Sequence, residues 1–318
     1  MNKIIARIEH TAGIPGLSSI LAERLSPTDL QSLLLEVYRF RSGQIQPPSL
    51  LSEFESNRFV RPSALSPAAL LKWEQIAFKH LPREFQPLNL SPVCPLGTNS
   101  VVAPVDQNWA VATIRNSEVV SDSTNVLALE CALRRRELLR ADSKSTEPVH
   151  LAASHRLLRA QRYESAKSLA HFSSFALCSA GRDQGNLRFE LEALKLHIRF
   201  YLASLRAFLG PAIPIHFSVT DLNSHTKRIE TQLLSALRSE FGDIECGFDE
   251  GRTSGREYYR ELCFHIHAVS ASGQGLELVD GGPVDWTQKL LSNAKERLVI
   301  SGIGSERLCM EFDSGEAA

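Results

Sequence analysis

Residues 297–312 read RLVISGIGSERLCMEF: an apolar, β-branched run, two glycines one residue apart, and then an arginine, Arg307. The run predicts a buried strand and SERLCMEF predicts a helix start. Gly302 and Gly304 present no side chain, so a ligand or another backbone can approach closely. The amides of a helix start favour an anion. By itself the segment reads first as a strand–turn–helix corner with a surface arginine, and its further meaning depends on the residues upstream.

Working back along the chain, VDWTQKLLSNAK predicts a helix, and LELVDGG and ELCFHIHAVSA predict strands. SHTKRIETQLLSAL is helical in pattern, IPIHFSV reads as a strand, and residues 187–208 form the clearest amphipathic helix. HFSSFALCSAG and HLAASHRLLRA read as two strands joined by a loop, preceded by a long helix from about Asn125 through ALECALRRRELLR. Between residues 85 and 120, the pieces FQPLNLSPV, SVVAPV, WAVATI and SEVV predict short strands. Ser66 and Pro67 open a helix through AALLKWEQIAFKHL. The residues before it are set apart by QIQPPS and FVRPSALSP and carry helical spacing in LSSILAERL and DLQSLLLEVYRF. In the second of these, Ser26 or Thr28 is the cap and Pro27 sits in the first turn. The sum is an α+β fold, residues 66–318, around a largely antiparallel sheet, with a helical N-terminal arm over residues 1–65.

The composition excludes several classes. Of 318 residues 43% are hydrophobic and 22% charged, with 35 Lys+Arg against 36 Asp+Glu, so no global excess pulls the chain toward nucleic acid or anionic lipid. Arg7, Glu9 and His10 interrupt the N-terminus before any signal-peptide core develops, and no transmembrane stretch is present later, so a cytoplasmic protein without a membrane partner is expected. The six cysteines lie far apart without a CxxC pair, as expected of reduced thiols.

In this context RLVISGIGSERLCMEF resembles motif 3 of the class II aminoacyl-tRNA synthetases, a glycine-spaced strand leading into a helix whose arginine packs on ATP. SGREYYRELCFHIHAVSASGQGLELVDGGPVDW is similar in order and spacing to the paired signatures of histidyl-tRNA synthetases, with Gly255, Tyr258, Tyr259, Gly281, Gly282 and Asp285 matching. PVHLAASHRLLRAQ followed by HFSSFALCSAG looks like motif 2. VVSDSTNVLALECA falls where that family has an Arg-Pro-Glu-Gly-Thr loop, and Pro92 fits the motif 1 proline at a dimer interface.

The resemblance implies a class II synthetase-type core: an antiparallel sheet flanked by helices, acting as a homodimer. It implies ATP, with Mg2+, held by Arg159 on the α-phosphate, Phe172 and Arg307 on the two faces of adenine, Gln161 at the adenine edge, and Gly302 and Gly304 beneath. Asp122, Thr124, Ser174, Cys178, Tyr258, Tyr259, Gly281 and Gly282 would face an amino acid or related carboxylate. Arg159 and Arg307 would carry catalysis by neutralising charge as pyrophosphate leaves.

The departures from the family are specific. Ser254 stands at the signature arginine and Glu257 at the aspartate; Pro283 replaces the arginine of the Gly-Gly signature. Gln161 replaces a motif 2 glutamate, and the glutamate and glutamine that recognise histidine fall at Cys178 and Ser174. About a dozen residues follow Arg307 where the family carries a C-terminal anticodon-binding domain, so ordinary tRNA charging is not expected. Two function classes are consistent with this pattern. One is an adenylating ligase that passes its acyl group to another acceptor or carrier. The other is a non-catalytic small-molecule sensor resembling the regulatory subunit of ATP phosphoribosyltransferase, read out by a partner enzyme.

Three further signals compete. His265 and His267 share one strand face and can begin a metal site, but no third ligand stands at a recognisable spacing, so no metal site is assigned. Arg134, Arg135, Arg136 and Arg140 read as a solvated face near a helix C-terminus, or as a contact for RNA phosphates. Asp122 and Thr124 suit a turn and helix cap as well as a ligand contact, and Cys178 reads as a buried thiol rather than a nucleophile.

Overall fold

A computed structural model describes residues 2–161, 169–253, 255–270, 273 and 275–312. The arm comprises α1 (Lys3–Ala12), α2 (Leu17–Ser19) continuing into a π-helical turn over Ile20–Arg24, α3 (Pro27–Ser42) and α4 (Pro47–Ser56). Ser26 caps α3 by accepting from the Asp29 amide, with Pro27 in the first turn. Helix α4 starts on Pro47 and Pro48, the prolines expected to break the arm, because proline suits a first turn whose amides have no helical partner. None of these elements contains a buried residue. The arm is fastened where it ends: Arg58 donates to the carbonyl of Gln161 at 2.5 Å, and Ser63 donates to Glu306.

Helix α5 (Pro67–His80), capped by Ser66, buries Trp73 and Ala77. Next come β1 (Gln86–Pro87), β2 (Val93–Pro95), α6 (Thr98–Val101), a 3-10 turn at Gln107–Trp109, and β3 (Ser117–Val119). Two strands expected here do not form: SVVAPV contributes to α6, and WAVATI begins in the 3-10 turn and gives only an isolated bridge at Ala112. The cause is Glu118, fully buried, whose carboxylate accepts from the amides of Gly97 at 2.9 Å and Asn99 at 2.8 Å and from the side chains of Asn99 and Gln107, both at 2.6 Å. Burial pushes this carboxyl up, but these hydrogen bonds outweigh it and hold it below the usual carboxylate range. Wrapping the backbone around one anion overrides the β propensity of the valines.

The remaining elements are α7 (Ser123–Ala141), β4 (Val149–Leu158), β5 (His171–Arg182), α8 (Arg188–Leu209), β6 (Ile215–Asp221), α9 (Thr226–Ile229) with a π-helical turn over Glu230–Leu234, α10 (Ser235–Glu240), β7 (Glu245–Phe248), β8 (Leu262–Val269), β9 (Gly275–Val284), α11 (Trp286–Leu291), β10 (Glu296–Ile303) and α12 (Ser305–Phe312). Among the described residues the strands form one large sheet in the order β1-β4-β5-β10-β9-β8-β6-β7, antiparallel except for the outermost pairs β1/β4 and β6/β7. Strands β2 and β3 pair separately. The last strand in sequence lies at the centre, so the glycine turn after it opens over the middle of the sheet.

Alternation divides the sheet into two faces. Phe175, Leu177, Val299, Val279, Phe264 and Phe217 pack with Trp73, Phe200 and Tyr201 from α5 and α8. On the other face Ala176, Cys178, Ala180, Leu298, Ile300 and Cys263 pack with Leu127, Ala128 and Cys131 of α7 and with Trp286 of α11. The arginine run on α7 is not one solvated face. Arg135 is fully buried against Glu296, Arg134 pairs with Glu130 at 2.8 Å, and Arg136 and Arg140 line a shallow surface depression with Leu290 and Ser292. No helix among the described residues is long and apolar enough to cross a membrane.

Candidate active site

The site begins at the start of α7. Asp122 has extended backbone there, and its Oδ1 accepts from the amide of Thr124 at 2.9 Å and from its hydroxyl at 2.8 Å, which is an N-cap. Its Oδ2 lies 3.2 Å from Nη2 of Arg159, whose Nε donates to the carbonyl of Ser121 at 2.9 Å. Asp122 is therefore both the cap and the anchor of Arg159.

Arg159 follows β4 directly, and its amide bonds the carbonyl of Ala170 at 2.9 Å, extending the β4/β5 hairpin. That register turns Phe172 beneath the guanidinium, with the charge 5.1 Å from the ring centroid. Ser174 and Cys178 lie further along the same face of β5. Both are buried, and the Cys178 thiol lies 3.7 Å from the carbonyl of Thr124. Burial pushes this thiol well up, with Cys131 and Asp122 adding to the effect, so Cys178 is a shape element and not a nucleophile. Gln161 contributes its carbonyl to Arg58 of the arm.

From the other side come the two tyrosines. Tyr258 packs edge-on against Trp286 at 5.5 Å and against Tyr259 at 5.1 Å. Burial raises the Tyr258 phenol well above its ordinary value, the charge of Asp122 raises it further, and Arg159 opposes both. Tyr258 thus stands as a neutral phenol in the field of the Asp122–Arg159 pair. Tyr259 is buried, and the position of a Cβ on Gly282 falls 2.8 Å from its ring, so Gly282 is the floor on which that ring rests. Gly281 points to the opposite face, where a Cβ would stand 2.6 Å from both Phe264 and Ser301. Close packing is its reason for being glycine. It places no group toward Asp122.

Gly302 and Gly304 differ from those two. A Cβ at Gly302 would meet nothing nearer than 3.9 Å and one at Gly304 nothing nearer than 3.6 Å, so both leave room above the chain. Gly302 pairs with Ala176 of β5, which brings the turn alongside Ser174. The first turn of α12 is fixed by Glu306, fully buried, which accepts from the amide of Ser173 at 3.0 Å and pairs with Arg156 at 3.0 Å. Arg307, the next residue, is exposed.

One residue was missed in the sequence. Ser254, the substitute for the signature arginine, lies outside the described residues. Arg252, two positions earlier, has its side chain 2% exposed, pairs with Asp280 at 3.0 Å and lies over Tyr259 at 5.7 Å. The sequence signal was an arginine displaced by two from the expected place, beside Gly255, whose φ of +69° permits a sharp turn. On this face Asp122 and Asp280 are each matched to an arginine, Arg159 and Arg252, whereas Glu306 and its partner Arg156 belong to the side covered by α5.

No protein-family model matches the chain, and no curated protein matches it in sequence. Solved structures do match. The apo histidyl-tRNA synthetase of S. aureus superposes with a TM-score of 0.57 at 13% identity, over 80% of this chain and 73% of that one. An ATP phosphoribosyltransferase regulatory subunit/histidyl-tRNA synthetase from Bacillus halodurans gives 0.56 at 13% identity, over 81% and 83%. A threonyl-tRNA synthetase structure from Cryptosporidium parvum gives 0.55 at 11%, over 80% and 70%. At such identities the likeness is one of fold, and the chain has the α+β fold of the class II aminoacyl-tRNA synthetases, with helices on both faces of the antiparallel sheet.

Proposed function

We propose that the protein binds ATP and adenylates an amino acid or related small carboxylate, for transfer to an acceptor other than an anticodon-read tRNA. The observation that carries the reading is the stack of Arg159 on Phe172, tied to the Asp122–Thr124 helix start on one face of the sheet. A flat aromatic face beside a guanidinium suits a purine joined to a phosphate. The open space at Gly302 and Gly304, beside exposed Arg307, supports the fit.

In this reading Phe172 and Arg307 hold adenine between them and Gln161 meets its edge. Arg159 exchanges part of its contact with Asp122 for the α-phosphate. Asp122, relieved of that contact, is the acceptor for a substrate ammonium, and the neutral phenol of Tyr258 donates to the carboxylate. The carboxylate oxygen attacks the α-phosphorus and pyrophosphate departs, while Arg159 stabilises the charge that develops. Mg2+ accompanies ATP in such chemistry. Asp122 and Asp280 are each matched to an arginine, so no step is assigned to a protein ligand of the ion. A homodimer is part of the proposal, resting on the placement of Pro92 just ahead of β2.

A second reading is favoured by Ser174 and Cys178, which offer the substrate no charge. In it the pocket is the sensor of a regulatory subunit and reports a bound small molecule to a partner enzyme without turnover. Amino-acid-dependent ATP–pyrophosphate exchange separates the two. Exchange with one amino acid supports adenylation and names the acyl group. No exchange, together with a rise in melting temperature on adding a metabolite, supports the sensor.

A further inference from the structure

We infer that His265, His267 and Glu277 form a binding site for a divalent first-row transition ion of the zinc type, separate from any Mg2+ brought by a nucleotide. The three side chains place one ligand atom each within 4.8 Å of one another. The donor set, two imidazoles and a carboxylate, suits zinc and leaves a further coordination position open.

The site depends on an irregularity in the sheet. His265 pairs with Asp280 and Ile266 with Val279, but His267 pairs with Glu277, because a bulge between Ile266 and His267 skips Leu278. Positions 277 and 280 differ by an odd number, so in a regular strand they would face opposite ways. The bulge removes one step and turns both carboxylates to the side of the two histidines. Leu278 and Val279, adjacent in sequence, are both buried in the opposite core, as that phase change requires.

A second observation points the same way. His265 is 5% exposed, and its Nε2 is a buried nitrogen without a hydrogen bond among the described residues. The acceptors nearest to it are Oε1 of Glu277 and Oδ1 of Asp280, both at 3.4 Å, too far for a strong hydrogen bond. Tetrahedral ligands at about 2.0–2.1 Å from an ion stand about 3.4 Å from one another. The spacing is that of two ligands flanking an ion. Glu277 is the most exposed of the three and His267 is half-buried, so small rotations of these two close the set.

The site lies on the same sheet face as Ser174, Cys178 and Gly302, with β8 three strands from β5, about 14 Å away. Asp280 links it to Arg252 and hence to Tyr259. An ion here would fix the β8/β9 pair beneath that arginine.

The test is titration of the metal-free full-length chain with Co2+, reading the d–d absorption and the stoichiometry, alongside Glu277→Gln and His267→Ala. Glu277→Gln removes only a partly exposed charge, and its melting curve without metal verifies the fold. The inference predicts one Co2+ per chain, displaced by Zn2+, and affinity weakened about tenfold or more in each folded variant. Absence of stoichiometric binding to the unaltered chain overturns it, and so does affinity within about threefold of the unaltered chain in Glu277→Gln.

Discussion

Arg135 on α7 grips Glu296 at the start of β10 through two hydrogen bonds, Nε to Oε2 at 2.8 Å and Nη2 to Oε1 at 3.0 Å, with neither side chain exposed. Two further guanidinium protons go to the carbonyls of Glu147 and Ser145, so four of the five N–H groups are engaged. It joins the helix capped by Asp122 to the strand that carries Gly302 and ends at Ile303. Replacing Glu296 by Ala leaves a buried cation without its partner, which costs about 3–5 kcal/mol. Urea unfolding reads this directly, and a loss below about 1 kcal/mol would refute the central role given to the pair.

The same pair shows what the sequence conveys and what it hides. Regular patterns were legible: the 3.6-residue period of α8, the strand–loop–strand order of β4 and β5, and the strand–turn–helix ending at α12 all appear where they were expected. Their signals are local. Arg135 stood in a run of arginines read as solvated because its partner is 161 residues away, and only the fold brings Glu296 beneath it. Two strands were misread around Val101 and Ala110 because the backbone there gathers around Glu118. The same holds in the site. Asp122, Arg159 and Phe172 were legible from motif order and do converge, whereas Arg252 was two residues out of register. Glu277 could not be recognised as a partner of the histidines without the bulge.

Arg159→Ala is expected to weaken ATP binding by about 1.5–3 kcal/mol, the worth of a charge-assisted hydrogen bond to phosphate. Phe172→Ala is expected to weaken it less, through lost stacking of about 0.5–1.5 kcal/mol. Both side chains lie at the edge of the fold's packed interior, so melting temperatures stay close to that of the parent. Calorimetric titration with ATP is the measurement. Affinity unchanged in both variants removes the nucleotide from this face.

The glycines of β9 and β10 are expected to respond in opposite ways. Gly281→Ala drives a methyl to within 2.6 Å of Phe264 and Ser301 and 2.8 Å of the Ile300 carbonyl, and overpacking of this kind costs about 1–3 kcal/mol. Gly302→Ala meets nothing nearer than 3.9 Å and leaves stability within about 0.5 kcal/mol of the parent, while its methyl enters the space assigned to the nucleotide. Thermal denaturation and ATP titration on the two variants form a crossed test. A Gly302→Ala protein as unstable as Gly281→Ala would show that the space above β10 is not open.

A pH dependence is built into the core between α8 and the sheet. His197 is fully buried, with Nε2 2.9 Å from the Ser179 hydroxyl and Nδ1 2.7 Å from that of Ser301, and Ser179 also contacts Nδ1 of His150 at 2.7 Å. Burial holds His197 well below the ordinary imidazole value, with His150 adding to the effect, and burial lowers His150 too. In the unfolded chain both titrate near pH 6.5. Above that pH they are neutral in either state and add no pH dependence. As the pH falls through about 6.5, the unfolded chain takes up protons that the native core refuses, so stability declines, at up to about 1.4 kcal/mol per pH unit for each histidine. His197→Gln retains hydrogen-bonding capacity and removes one such proton, so it flattens the dependence below about pH 6.5 whatever it does to stability at neutrality. Urea midpoints for parent and variant at about pH 7.5 and about pH 5.5 give the two slopes. Equal slopes would mean that His197 is protonated in the native core, contrary to its burial.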